Sequence, residues 1–201
     1  MPAELETGWL ELVHGRKRSW WTGPARVSLQ VLGGLYGAVI GTYRLQYDWG
    51  WRRPEAAPCR ICSVGNLTVG GSGKTTTVRW IVRRLQEWGV RPAILSHGYR
   101  ASGGSDPRPR VVADPTGIRL PITESGDEPQ LLARRLPSVP VLIGRRRNES
   151  ARVAAEQYGV QVCVLDDGYQ YWKVQKNLDL LLLDATSPWG PGGVFPGGTL
   201  R

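Results

Sequence analysis

The stretch "NLTVGGSGKTTTVRWIV", residues 66–82, decides how the rest of the chain is read. It ends in Gly73-Lys74-Thr75 and runs into a segment of helical periodicity, as a phosphate-binding loop does. The usual pattern G-x-x-x-x-G-K-[ST] has glycine five places before Gly73, and here Thr68 stands in that place. Such a loop needs backbone N–H groups turned inward, a helix N-terminus and a lysine. Gly70, Gly71 and Gly73 give the permissive backbone around Val69 and Ser72. Lys74 can reach the β- and γ-phosphates, and the hydroxyl of Thr75, followed by Thr76, can ligate Mg²⁺. A glycine turn with an incidental Gly-Lys-Thr is the alternative.

Working outward, strands and helices alternate. "CRICSVGNL" reads as a buried strand entering the loop, and "GKTTTVRWIVRRLQEWG" as a helix ending at Gly89. "RPAILS", "VPVLIG", "VQVCVLDDG" and "LDLLLLDA" read as strands, and "PRVVAD" as a short edge strand. "GDEPQLLARRLP" and "RNESARVAAEQYG" read as helices. Nearly continuous apolar strands between helices indicate an α/β fold: a P-loop NTPase-like, mostly parallel sheet with helices on both faces.

Two acidic motifs accompany the loop. "VLDDG" puts Asp166 and Asp167 at the C-terminal end of a buried strand, where open α/β sheets bind ligands and P-loop enzymes hold Mg²⁺; an Asp-Gly turn is the plain alternative. "SGDEPQ" puts Asp127 and Glu128 at a helix start, where capping and catalysis are both open. No N-K-x-D guanine motif is present, so ATP is favoured over GTP.

The chain has 201 residues, a formal charge of +9, and nine tryptophans to one phenylalanine. That length suits one α/β domain, and the charge suggests an anionic partner. A nucleic-acid role would want base-stacking aromatics on a basic element, whereas the aromatics gather near the N-terminus. There "GRKRSWWTGPAR" precedes an uncharged stretch at 27–43, too short and glycine-rich for a confident span. Basic residues and tryptophans beside a short apolar helix suit a membrane-interface segment over 1–57, ending in the linker "YDWGWRRPEAAP", with a kinase domain at 58–201. A core helix is the competing reading. Cys59, Cys62 and Cys163 make no disulfide framework. The C-x-x-C spacing lacks a second pair, and on a strand it would point Cys59 and Cys62 to opposite faces, as packed thiols.

Taken together and in order, "SVGNLTVGGSGKT", "ILSHGYR", "GDEPQLLARR", "VLDDGYQ", "LDLLLLDATSPWG" and "VFPGGTLR" resemble the tetraacyldisaccharide 4′-kinases, or lipid A kinases. The loop without its first glycine is that family's own form, which accounts for Thr68. The resemblance implies transfer of the ATP γ-phosphate to the 4′-hydroxyl of an acylated disaccharide 1-phosphate, giving lipid IVA. It also implies an enzyme bound peripherally at the cytoplasmic face of the bacterial inner membrane, with no nucleic acid and no obligate protein partner. It implies nucleotide binding by residues 68–76, a metal site of Thr75, Asp166 and Asp167, and a catalytic group of Asp127 as base, Glu128 and Lys74. Asn66, Arg145, Arg147 and Arg201 are implied as substrate or phosphate contacts.

Three departures stand out: Tyr171 replaces the family's histidine after the aspartates, "LSHGYRA" puts His97 and Arg100 in place of arginine and glycine, and Thr76 replaces proline. Family chains also carry a smaller C-terminal α/β domain that this sequence does not contain. A membrane-associated nucleotide-binding module of weak activity is therefore the second expectation, and a P-loop ATPase acting on a protein the third.

Overall fold

The computed structural model describes residues 3–13, 19, 21–70, 72–98, 108–190 and 192–201. Gly71, Arg100, Trp20 and the basic run 16–18 lie outside the described residues. The chain forms two compact units, 1–52 with 67–72 and 183–201, and 53–66 with 73–182. The sequence places its boundary at residue 57. The division instead runs through the glycine loop, because the last 19 residues group with the N-terminal helices.

The second unit is the α/β layer. Its strands are β1 (Arg60–Asn66), β2 (Pro92–Ser96), β3 (Arg110–Asp114), β4 (Gly117–Ile118), β5 (Val141–Ile143), β6 (Val162–Asp166) and β7 (Leu178–Leu182). They form one sheet in the order β4-β3-β5-β2-β6-β1-β7. Five strands, from β5 to β7, are parallel, while β3 runs antiparallel to both β5 and β4. The expected edge strand 109–114 is thus one place in from the edge, the two-residue β4 being too short to show in the sequence.

Alternate residues of each central strand feed opposite layers, as the pleat requires. Val64, Ile94, Val141 and Val164 pack with Val78, Ile81 and Val82 of the helix after the loop and with Leu132 of the helix at 127–135. Ile61, Leu95, Leu142 and Leu165 pack on the other face with Ala151 and Ala154 of the helix at 147–158. Helices cover both faces. Cys62 belongs to the first layer and Cys59 to the second, so the C-x-x-C pair is split by the sheet as its spacing requires.

The first unit holds α1 (Ala3–Val13) and α2 (Thr22–Asp48). α2, of 27 residues, extends ten beyond the uncharged run of 17 inside it: Arg26 on one side and the exposed Arg44–Asp48 pair, one turn apart, on the other continue the helix.

 The uncharged stretch 27–43 is its middle, and the expected linker begins only at Trp49. α2 leaves Val27, Val31, Leu35 and Val39, spaced one turn apart, 59–64% exposed. Gly33 faces the other way, and a Cβ there would lie 2.4 Å from the carbonyl oxygen of Val194. The C-terminal segment is held there by rings: Phe195 lies 5.4 Å from Trp9 and 6.3 Å from Tyr36, and the Trp9 indole N–H donates to the Pro196 carbonyl at 2.9 Å. Among the described residues no helix is long and apolar enough to cross a membrane.

Candidate active site

Parallel β1 and β6 are neighbours with Val64 opposite Asp166, so Asn66 and Asp166 both leave the sheet at its C-terminal end. Ligands bind at that end of an open α/β sheet. Two glycines let the chain after β6 settle close against β1. A Cβ on Gly65 would stand 2.5 Å from the Cβ of Tyr169, and one on Gly168 would stand 2.7 Å from Ser63 Oγ. The Gly168 N–H donates to the Val64 carbonyl at 3.0 Å. Asp167, between β6 and Gly168, takes the left-handed conformation with φ 57°, which aspartate tolerates better than most residues. Gly65→Ala is expected to destabilise the fold by about 1–3 kcal/mol through overpacking. Denaturant unfolding checks this, and an unchanged midpoint would mean that the turn relaxes freely.

The loop enters helix α3 (Lys74–Glu87) through Gly73, left-handed at φ 77°, with no side chain among the described residues capping the helix. The first N–H groups of α3 are thereby left for an anion, with the helix dipole behind them. The Lys74 ammonium donates to Asn66 Oδ1 at 3.0 Å and lies 3.8 Å from Asp167 Oδ1. Asn66 is fully buried, and its carbonyl accepts from the Gln170 side-chain amide at 2.9 Å. Thr75 follows half-buried and Thr76 exposed. Within the other unit the start of the loop is tied to the C-terminus. Thr68 bridges Leu200, the Val69 N–H donates to the Thr199 carbonyl at 2.7 Å, and the Arg201 N–H donates to the Leu67 carbonyl at 2.8 Å. The Ser72 hydroxyl is buried with no hydrogen-bond partner among the described residues.

Asp166 is 3% exposed, and its Oδ2 has no hydrogen-bond partner among the described residues. Burial first, then the negative charges of Glu128 and Asp167, push its carboxyl up to about 6, against the pull of Lys74 and Arg147. An acid raised in the fold is a cost to stability when ionised. The cost is absent below the unfolded value of 3.8, grows between 3.8 and about 6, and is fully present above that. In protein free of ligands, Asp166→Asn should therefore stabilise at pH 7, on the order of 3 kcal/mol, and have little effect near pH 3.5. Melting curves at the two pH values check the difference; equal effects at both would remove the electrostatic cause.

Asp127 and Glu128 open helix α5 (Asp127–Arg135), exposed, behind the one-turn helix α4 (Ile122–Ser125) and Gly126. Neither is the N-cap residue and no side chain among the described residues caps this helix, so capping does not account for the pair. The negative charge of Glu128 helps to raise the Asp166 carboxyl, so the acid of "GDEP" is felt at "VLDDG". The two remaining arginines differ. Arg145 is exposed, whereas Arg147 is 3% exposed at the start of helix α6 (Arg147–Tyr158). Arg147 donates to the Gly144 carbonyl, its Nε has no partner among the described residues, and it acts electrostatically on both Asp166 and Asp167. Burial lowers its pKa from the ordinary arginine value, with Tyr171, Asp166 and Asp167 opposing.

The sequence reading gives Tyr171 no role beyond a departure from pattern. In the structure its ring centroid lies 5.5 Å from the Arg147 guanidinium, and its hydroxyl accepts from the Arg147 N–H at 3.1 Å. The same hydroxyl donates to the Arg145 carbonyl at 3.3 Å. Gln170, Gly65 and Gly168 are likewise positioning residues whose signal in sequence is only their place beside the two motifs. His97 is exposed at the end of β2. No cluster of three or more histidine, cysteine or acidic residues suited to a metal occurs among the described residues.

The family model described as Tetraacyldisaccharide-1-P 4′-kinase matches residues 25–201. The tetraacyldisaccharide 4′-kinase of Syntrophotalea carbinolica is 44% identical over 170 residues, which are 85% of this chain and 47% of that protein. That of Halothermothrix orenii is 32% identical over all 201 residues, covering 52% of its own length. The crystal structure of LpxK from Aquifex aeolicus, an "apo" form in complex with ATP, superposes with a TM-score of 0.80 at 34% identity. The match covers 88% of this chain and 54% of that one. The chain thus spans about half the length of the curated relatives it matches, and by the match over 25–201 it belongs to the tetraacyldisaccharide 4′-kinase family.

Proposed function

We propose that this protein binds ATP at the loop 66–76 and serves transfer of its γ-phosphate to the 4′-hydroxyl of an acylated disaccharide 1-phosphate. One observation carries the reading: Lys74 is held between Asn66 and Asp167 at the uncapped head of α3, beside the buried Asp166. The lysine and the α3 N–H groups would hold the phosphates, and Arg147 supplies further positive charge from behind the aspartates. Asp127 would take the proton of the acceptor hydroxyl, with Glu128 beside it adding negative charge that bears on Asp166.

The residues fit Mg²⁺. Asp166 presents a buried carboxylate oxygen with no partner among the described residues, and Mg²⁺ beside nucleotide phosphates needs only one or two carboxylates and a hydroxyl. Thr75, Asp166 and Asp167 would hold it, and when bound it neutralises charge on the transferring phosphate. Asp167→Asn should then weaken nucleotide binding in Mg²⁺ by roughly tenfold or more, with little change in EDTA. Titration calorimetry in both conditions checks this, and equal loss in both would assign Asp167 a structural role.

The apolar face of α2 fits a lipid surface, where an acylated substrate resides. We place this contact at the cytoplasmic face of the inner membrane, the side that supplies ATP. Val31→Asp with Leu35→Asp alters exposed positions and leaves the Gly33 contact in place. This pair should release the protein from vesicles while nucleotide binding persists. Undiminished vesicle binding would return α2 to a purely structural role. Deleting α2 outright is a poorer test, since Val194 and Phe195 pack on it.

A further inference from the structure

Two thiols meet at the end of the sheet opposite Asn66 and Asp166. Cys59 stands one residue before β1 and Cys163 is the second residue of β6. The register sets Ile61 opposite Cys163, and Cys59, Ile61 and Cys163 share one core layer. The Cys59 and Cys163 sulfurs lie 3.4 Å apart. Cys62 lies in the opposite layer. Cys163 is fully buried, whereas Cys59 is partly exposed and lines a cavity of about 610 Å³ with Arg60, Gln161 and Asn177.

We propose that Cys59 and Cys163 form a hydroperoxide-reactive dithiol, with Cys59 the attacking sulfur and Cys163 the resolving one. The Cys59 thiolate attacks a terminal oxygen of hydrogen peroxide and the O–O bond breaks. This gives the Cys59 sulfenic acid, and the departing hydroxide leaves as water with the thiol proton. The Cys163 sulfur then attacks the sulfenic sulfur and the S–O bond breaks. A second water leaves with the Cys163 proton, and a Cys59–Cys163 disulfide remains. Two thiols lose two electrons, and one peroxide is reduced to two waters. The order follows from access and from charge. The hydrogen bond between the thiols lowers the Cys59 pKa, while that bond and burial raise Cys163 well above its usual value. Cys59 therefore ionises first and is the one a small oxidant reaches. Closing from 3.4 Å to a bond of about 2.05 Å needs a shift of the bend before β1, which lies outside the strand ladder.

Hydrogen peroxide treatment followed by peptide mapping tests this in the unmodified protein. The expected product is a Cys59–Cys163 cross-linked peptide, about 2 Da lighter than the two thiol peptides, reversed by dithiothreitol and formed equally in Cys62→Ser. In Cys163→Ser, dimedone should trap a sulfenic acid on Cys59. The proposal is overturned if peroxide leaves both thiols free, if Cys62 reacts instead, or if Cys59 proceeds to sulfinic acid with no disulfide. The mapping does not depend on nucleotide binding, so its outcome stands apart from the proposed kinase reaction.

Discussion

Replacing Asp127 by Asn is expected to lower kcat for phosphoryl transfer by about 10²–10⁴-fold, the range of a lost general base, while the KM for ATP changes little. Asp127 is exposed at the first position of α5, and the helix is seated through the buried Pro129, Gln130 and Leu132. Asn keeps the shape and removes the charge, so the structural cost is a dipole contact of about 0.3–1 kcal/mol. Steady-state kinetics with both substrates decides the matter. A raised ATP KM with kcat preserved would make Asp127 a binding group, and a comparable loss confined to Glu128→Gln would move the base to its neighbour.

Lys74→Ala should reduce ATP affinity by roughly 10²–10³-fold, the 2–5 kcal/mol typical of removing one partner from a desolvated charge pair. The lysine side chain is only 13% exposed and is fixed from two sides, by Asn66 and by Asp167. It belongs to the loop rather than to either core layer, so folding should survive. Calorimetric titration measures the loss and circular dichroism checks the fold. Unchanged affinity in a folded variant would remove the phosphate-loop assignment.

The central layer was legible because its strands are buried on both faces and therefore read as continuous apolar runs, "VCVLD" and "PAILS" among them. The helices after the loop and at 147–158 end at Gly89 and Gly159, both left-handed in the structure, as such stop signals require. What stayed hidden depends on long-range packing. α1 is short, and the two-residue β4 exists only by pairing with β3. The return of "VFPGG" onto α2 rests on Gly33, which in sequence is one of five glycines in that helix. At the site, spacing marked Lys74, Asp166 and Asp167, whereas Asp127 and Glu128, open between capping and catalysis on spacing, took a catalytic role only from the family resemblance. The role of Tyr171 was not readable, because its ring and hydroxyl reach α6, 24 residues away.

The most direct test is transfer of labelled γ-phosphate from ATP to an acylated disaccharide 1-phosphate in mixed micelles with Mg²⁺. Label should appear at the 4′-position of the lipid, and Lys74→Ala should abolish it. Label that stays in ATP, or is released only as inorganic phosphate, while the protein binds ATP and the lipid is present, would contradict the proposed reaction.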